Sequence, residues 1–229
     1  MKSFKNLVGV LLLSFVLLSF VQAQEVSVED SYLQQSVEVM IIREQAQSLD
    51  RDSKFLALEY LREIIDNGNT GDDVRIVLQG MAMEGILNRV QSEGRVANNF
   101  PDVRMKAVEY LGSINSQASV DALIRVMLTD TEPAVLTAAI NSLKKIGNNE
   151  NDDTVNSIAF AFDKQNARHP DNVLAVAVLN AFRSFSEQSA SKSPEIYRIA
   201  LYLSTSGVYA KTVRDYAAKV LNQIKISGR

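Results

Sequence analysis

The sequence predicts an all-α protein in which antiparallel helix pairs stack one on the next, an α-α superhelix of about five pairs. Two segments nearly repeat: Ala57-Leu58-Glu59-Tyr60-Leu61-x-x-Ile64 and Ala107-Val108-Glu109-Tyr110-Leu111-x-x-Ile114 lie 50 residues apart. The same stripe returns as Val103, Ala107, Leu111 and Ile114, as Val135, Ala139, Leu143 and Ile146, and as Val213, Ala217, Leu221 and Ile224. A looser copy is Leu174, Val178, Phe182 and Phe185. Apolar residues at i, i+4, i+8 and i+11 lie on one face of a helix, not of a strand. The small residue in second place lets a neighbouring helix approach closely. No strand pattern is expected after residue 23.

Each striped helix is preceded by a second amphipathic run. These runs are Tyr32–Ser48, Asp73–Gln91, Val120–Leu128, Val155–Phe162 and Ile196–Leu203. Turn signals separate the partners: Asp50-Arg51-Asp52, Asn98-Asn99-Phe100-Pro101-Asp102, Thr129 to Pro133, Arg168-His169-Pro170-Asp171, and Ser206-Gly207. Pro101, Pro133 and Pro170 fall where a helix begins, the place a missing N–H costs least. Gly147 should close one helix, with Asp153-Thr154 capping the next.

The first residues read as an address. Lys2 and Lys5 form a basic start, and Leu7–Val21 is an uncharged apolar run of 15 residues. Val21-Gln22-Ala23 then offers small residues for a signal peptidase, with cleavage before Gln24. A spanning helix needs roughly 20 apolar residues, so residues 1–23 are expected to be a signal peptide and 24–229 a single domain without a membrane segment. The chain has no Cys, and no Asn-x-Ser/Thr sequon follows residue 23. Export without disulfides or sequons suits the periplasm better than a disulfide-stapled extracellular setting, although secretion would also fit.

The segment from Pro101 through Val103-Arg104, Ala107 and Leu111 to Ile114 resembles the second helix of a HEAT repeat. Val213-Arg214-x-x-Ala217-x-x-x-Leu221-x-x-Ile224 follows the same pattern. Asp121-Ala122-Leu123-Ile124-x-x-Met127-Leu128-x-Asp130 resembles the family's first helix, which ends in Asp. The resemblance covers roughly residues 30–225 and is strongest over 101–147. It implies a curved stack whose second helices line the inner face and which serves as a binding scaffold. It also implies a ladder of Arg and Asp between neighbouring repeats. The ladder arginine is present as Arg104 and Arg214, but the equivalent residues elsewhere include Lys54 and Leu136. The ladder should be broken, and apolar stripes should do most of the stacking.

The composition removes most chemistry. Without Cys there is no thiolate nucleophile and no sulfur-based zinc site, and a single His cannot build a histidine cluster. With 24 Lys and Arg against 27 Asp and Glu, the chain is a poor match for nucleic acid. His169 lacks the partners of a general base and reads as a solvated turn residue. Asn148–Asp153 and Asp66–Asp73 resemble calcium loops but miss the required Gly and Glu positions. No catalytic residue, cofactor or metal is expected.

Charge carries the one remaining signal. Residues 24–115 hold 16 acids and 9 bases, residues 116–229 hold 11 and 13. Second helices place Glu59, Glu63 and Glu109 early and Lys144, Lys145, Arg183 and Lys219 late, and these are the candidate protein-binding residues. The expected partners are proteins of the cell envelope, with self-association through oppositely charged ends as a further possibility. The simpler reading is that these charges solvate an exposed face. The alternative function is a HEAT-like lyase or a small-ligand-binding protein with an uncharacterised pocket.

Overall fold

The computed structural model describes residues 28–188, 191 and 193–227. The expected signal peptide and its cleavage point lie outside the described residues. The chain divides into two compact units, residues 1–38 and 39–229. The first contributes only helical residues Val28–Glu38 to the description; the second holds everything that follows.

Ten α-helices are described: α1 Val28–Ala46, α2 Arg51–Asp66, α3 Asp72–Ala82, α4 Pro101–Leu111, α5 Gln117–Thr129, α6 Pro133–Ile146, α7 Asp153–Asn166, α8 Asn172–Gln188, α9 Pro194–Thr205 and α10 Lys211–Ser227. From α3 onward they pack as α3–α4, α5–α6, α7–α8 and α9–α10. The second helices also touch in succession, α2 to α4 to α6 to α8 to α10, and the first helices do the same from α3 to α9. Contact restricted to neighbouring pairs is the defining property of a helical solenoid.

The expected stripes form the core. Ala57, Val103, Ala107, Leu111, Val135, Ala139, Leu143, Val178, Phe182 and Ala217 are all buried. Their apolar burial is the main stabilising term, since no disulfide exists. At Gly112, just after α4, an added Cβ would lie 2.6 Å from the Ser142 Cβ and 2.9 Å from its Cα. The missing side chain lets α4 and α6 approach, and the Ser142 hydroxyl donates to the Val108 carbonyl at 3.0 Å.

The helix ends follow their sequence signals with some revisions. The Asp50 carboxylate accepts from the Ser53 N–H at 2.8 Å and caps α2. Pro101, Pro133 and Pro194 each occupy the first turn of a helix. Pro170 instead lies two residues before α8, whose start is capped by Asp171 accepting from the Leu174 N–H at 2.7 Å. Gly147 ends α6 at φ 77°, as the sequence suggests. Asp153 and Thr154 do not cap α7; they are its first residues, and the Thr154 hydroxyl donates back to the Asn148 carbonyl at 2.8 Å. The capping role falls to Asn149, whose side-chain oxygen accepts from the Val155 N–H at 3.1 Å.

Two expectations fail between residues 83 and 99. The helix predicted over Asp73–Gln91 stops at Ala82, and a short antiparallel hairpin follows, β1 Gln91–Ser92 with β2 Arg95–Val96. Glu93 and Gly94 both take positive φ, 51° and 77°, the backbone of a tight two-residue hairpin turn. The helix cannot continue because Gly85 turns left-handed at φ 72°, against the Asn98 carbonyl, where a Cβ would lie at 2.5 Å. Buried Asn98 latches the loop. Its side chain accepts from the Val90 N–H at 2.9 Å and donates to the Asn88 carbonyl at 2.7 Å. This insertion accounts for the long 50-residue spacing between the first two striped helices.

Candidate functional site

Between α2 and α4 runs an open groove of about 330 Å³ lined by Arg62, Asp66, Lys106, Glu109, Tyr110 and Ser113. The helical members of this lining flank the buried stripe residues Leu61, Ile64, Ala107 and Leu111 on the helix wheel. Arg62 donates to Asp66 at 3.4 Å, and Lys106 pairs with Glu109 at 3.2 Å. Lys106 also sits over the Tyr110 ring, 5.4 Å from its centre. The hydrogen bond to Asp66, helped by the nearby Tyr110 hydroxyl, raises the pKa of Arg62.

The structure brings only some of the candidate residues together. Glu109 lines the groove, and Lys145 reaches its edge by donating to the Ser113 hydroxyl at 2.9 Å. Glu59 belongs to a separate shallow depression with Arg51, Asp52, Phe55 and Leu56. Glu63 is exposed on α2. Lys144 and Arg183 are half-buried and Lys219 exposed, and none of the three has an ion-pair partner among the described residues. The acidic excess of the first half does not make an acidic groove, because Arg62 and Lys106 answer Asp66 and Glu109 locally. The excess of unpaired cations on later helices is retained.

Sequence reasoning missed Arg62 and Lys106 as groove residues, and it missed a buried ionic chain beneath them. Arg104 donates through Nε to Asp130 at 2.8 Å and through Nη1 to the Asn99 side chain at 2.7 Å. Asp130 also accepts from the backbone N–H groups of Thr131 and Glu132, at 2.7 and 3.0 Å. One repeat earlier, Lys54 has no exposed surface and pairs with Glu84 at 2.6 Å while donating to the Ala46 carbonyl at 2.7 Å. Arg104 joins the two rungs, its Nη1 donating to the Glu84 carbonyl at 3.4 Å, while Asn98 donates to the Glu84 carboxylate at 3.3 Å. The signal that could have found Glu84 is its position: it follows the end of α3 as Asp130 follows the end of α5.

This arrangement, a cation early in one second helix held by an acid after a first helix, settles the ladder question. Among the described residues two rungs exist, and Leu136 interrupts the series. Arg214 donates instead to the Tyr209 carbonyl at 2.6 Å. Residues 93–160 match the family model for HEAT repeats, a span that contains α4, α5, α6 and the Arg104–Asp130 rung. That span is built as HEAT repeats, and the helix pairs on either side of it continue the same stacking. No curated protein matches it. HEAT repeats in general are non-catalytic modules that mediate protein–protein interactions.

The remaining candidates for chemistry are accounted for locally. His169 is exposed in the turn before α8, its N–H donating to the Gln165 carbonyl at 2.9 Å. The Asn148–Asp153 turn is closed by its own hydrogen bonds, with Asn149 donating to Asp152 at 2.9 Å. Among the described residues no three His, Asp or Glu side chains group as a metal site, and no helix is long and apolar enough to cross a membrane.

Proposed function

We propose that this protein is an exported scaffold that binds a protein partner of the cell envelope along its second-helix face. The observation that carries the reading is the contrast along that face. The α2–α4 groove has balanced, internally paired charges around Tyr110, whereas Lys144, Arg183 and Lys219 present unpaired cations on the following helices. A partner with an acidic segment would gain charge pairing from the later helices and aromatic contact from the groove. The basic start, the apolar run Leu7–Val21 and the Val21-Gln22-Ala23 site support export, with the periplasm as the compartment.

Cross-linking the protein in its producing cells and recovering complexes from the envelope fraction tests the scaffold. A defined protein complex supports it; recovery of the chain alone at every cross-linker length argues against it. Charge reversal of Lys144 and Lys145 to Glu should weaken capture, with the larger loss at low salt. Capture that is unchanged at every ionic strength would remove these residues from the binding face. Melting temperatures of the variant and parent are compared alongside, because Lys144 is half-buried, Lys145 bonds Ser113 and acids in the last turn of α6 oppose its dipole.

A further inference from the structure

A cavity of about 360 Å³ lies on the other layer, between the last turn of α1, α3 and the latched 83–99 loop. Its apolar wall is formed by Ile76, Gly80 and Met81 of α3 with Val90 of the loop; Arg43 and Glu84 stand at its polar side. Two independent features point to an occupant.

The first is Gly80. It lies inside helix α3, where glycine costs about 1 kcal/mol relative to alanine. Its φ is not in the left-handed region, and an added Cβ would meet nothing within 4 Å. Neither backbone conformation nor close packing accounts for a glycine here, in contrast to Gly85 and Gly112. Gly80 is exposed on the cavity wall, so a long side chain placed there would lie across the opening.

The second is charge. Glu84 is already neutralised by Lys54 at 2.6 Å and held by Asn98. Arg43 is exposed and has no ion-pair partner among the described residues. Of the two charged residues that line the cavity, Arg43 is therefore the one whose charge no ion pair answers among the described residues, and it stands beside the partly exposed apolar wall. We infer that the cavity binds a small amphiphilic carboxylate, its apolar body against Ile76, Met81 and Val90 and its head on the Arg43 guanidinium. The volume sits at the small end of the ~300–1,000 Å³ typical of ligand pockets, which suits a chain of about eight to ten carbons. Arginine matches a carboxylate with two parallel N–H donors.

The probe is octanoate, titrated into the full-length protein by calorimetry, with the ¹³C-labelled methionine methyls followed by NMR. Octan-1-ol and octylamine serve as neutral and cationic comparators. Saturable octanoate binding that shifts the Met81 methyl, weakens about tenfold or more in Arg43→Gln and leaves octan-1-ol unaffected is the expected result, the scale of one charge-assisted hydrogen bond. Gly80→Leu should abolish binding while melting no lower than the parent, because it fills space and improves the helix. The inference is overturned by any of three results: no saturable shift at Met81, octylamine binding as tightly as octanoate, or octanoate affinity unchanged in Arg43→Gln. Arg43→Gln is an exposed substitution, so it decides the matter even where Gly80→Leu folds poorly.

Discussion

The first and second halves of the stack solve the same packing problem with different chemistry. At the residue following the start of the buried stripe, α2 and α4 carry Lys54 and Arg104, while α6 and α8 carry Leu136 and Ala175. All four positions are buried. In the early repeats the buried cations demand acids, carbonyls and an amide, and they receive Glu84, Asp130, Ala46 and Asn99. In α6 and α8 the same place is filled by hydrocarbon and asks for nothing, while in α10 Arg214 takes it and donates to the Tyr209 carbonyl. The fold therefore accepts either solution, provided that no polar atom is left alone. Among the described residues every buried side-chain nitrogen and oxygen has a hydrogen-bond partner.

The sharpest way to break this comparison is Arg104→Ala. It leaves Asp130, also buried, without its guanidinium, and removing one partner of a buried pair costs about 3–5 kcal/mol. Pairing Arg104→Met with Asp130→Asn should recover much of the loss, since Asn can still accept from the Thr131 and Glu132 N–H groups. Chemical denaturation of the three proteins checks this. A double variant as unstable as Arg104→Ala would show that the charge itself, not its satisfaction, stabilises the early repeats.

This contrast was half-legible in the sequence. The period of the stripes gave the helix pairs and their order, because burial of one helix face repeats every turn and needs no partner to be recognised. Arg104 and Lys54 stood out as ladder positions only through the resemblance to a HEAT repeat. What could not be read was the partner of Lys54, because Glu84 lies beyond the end of α3 in a loop whose path depends on Gly85 and Asn98. The same loop hid the hairpin: two-residue strands are too short to show alternation, and Gln91–Val96 is mostly polar. The sequence put all seven candidate residues on second helices, and only the side-chain geometry brings Glu109 and Lys145 to one groove and sets Glu59 apart. Repeat position fixes which face a residue occupies, not what its neighbours on the next helix will be.

Where the halves meet, Gly112→Ala tests how far packing alone constrains the stack. The new Cβ would press on Ser142 at its Cα and Cβ, backbone-proximal atoms that cannot swing away. Overpacking of this kind costs about 1–3 kcal/mol. Combining it with Ser142→Gly should relieve most of that cost, read as a rise in melting temperature over the single variant. No rise would place the strain elsewhere than between α4 and α6.

A smaller effect is expected at the earlier rung. Lys54→Met removes the buried ammonium from Glu84, but the Glu84 side chain is 14% exposed and keeps Asn98 as a donor. The cost should be about 1–3 kcal/mol, below that of Arg104→Ala. Equal losses at the two positions would mean that residual access to water does nothing to spare the orphaned acid.

The smallest effect belongs to the surface pairs, where the two halves should behave alike. In the first half Arg51 ties the start of α2 to Asp102 at the start of α4, with its Nε 2.9 Å from the carboxylate. In the second, Arg198 of α9 bridges Asp163 of α7 and Glu195 at 2.5 Å each. Exposed pairs of this kind are weak because water screens them. The hydrogen bond from Arg51 nevertheless lowers the Asp102 pKa below its ordinary value of 3.8. A carboxylate whose folded-state pKa is depressed adds stability above its unfolded pKa and loses it as pH falls through the folded value. Asp102→Asn should therefore leave the melting temperature at neutral pH only slightly lower, and should reduce its fall below about pH 4. Thermal melts between pH 2 and 7 read both effects. An acid limb identical in the two proteins would show that the Arg51–Asp102 pair does not persist in solution, and that the halves differ only in their buried chemistry.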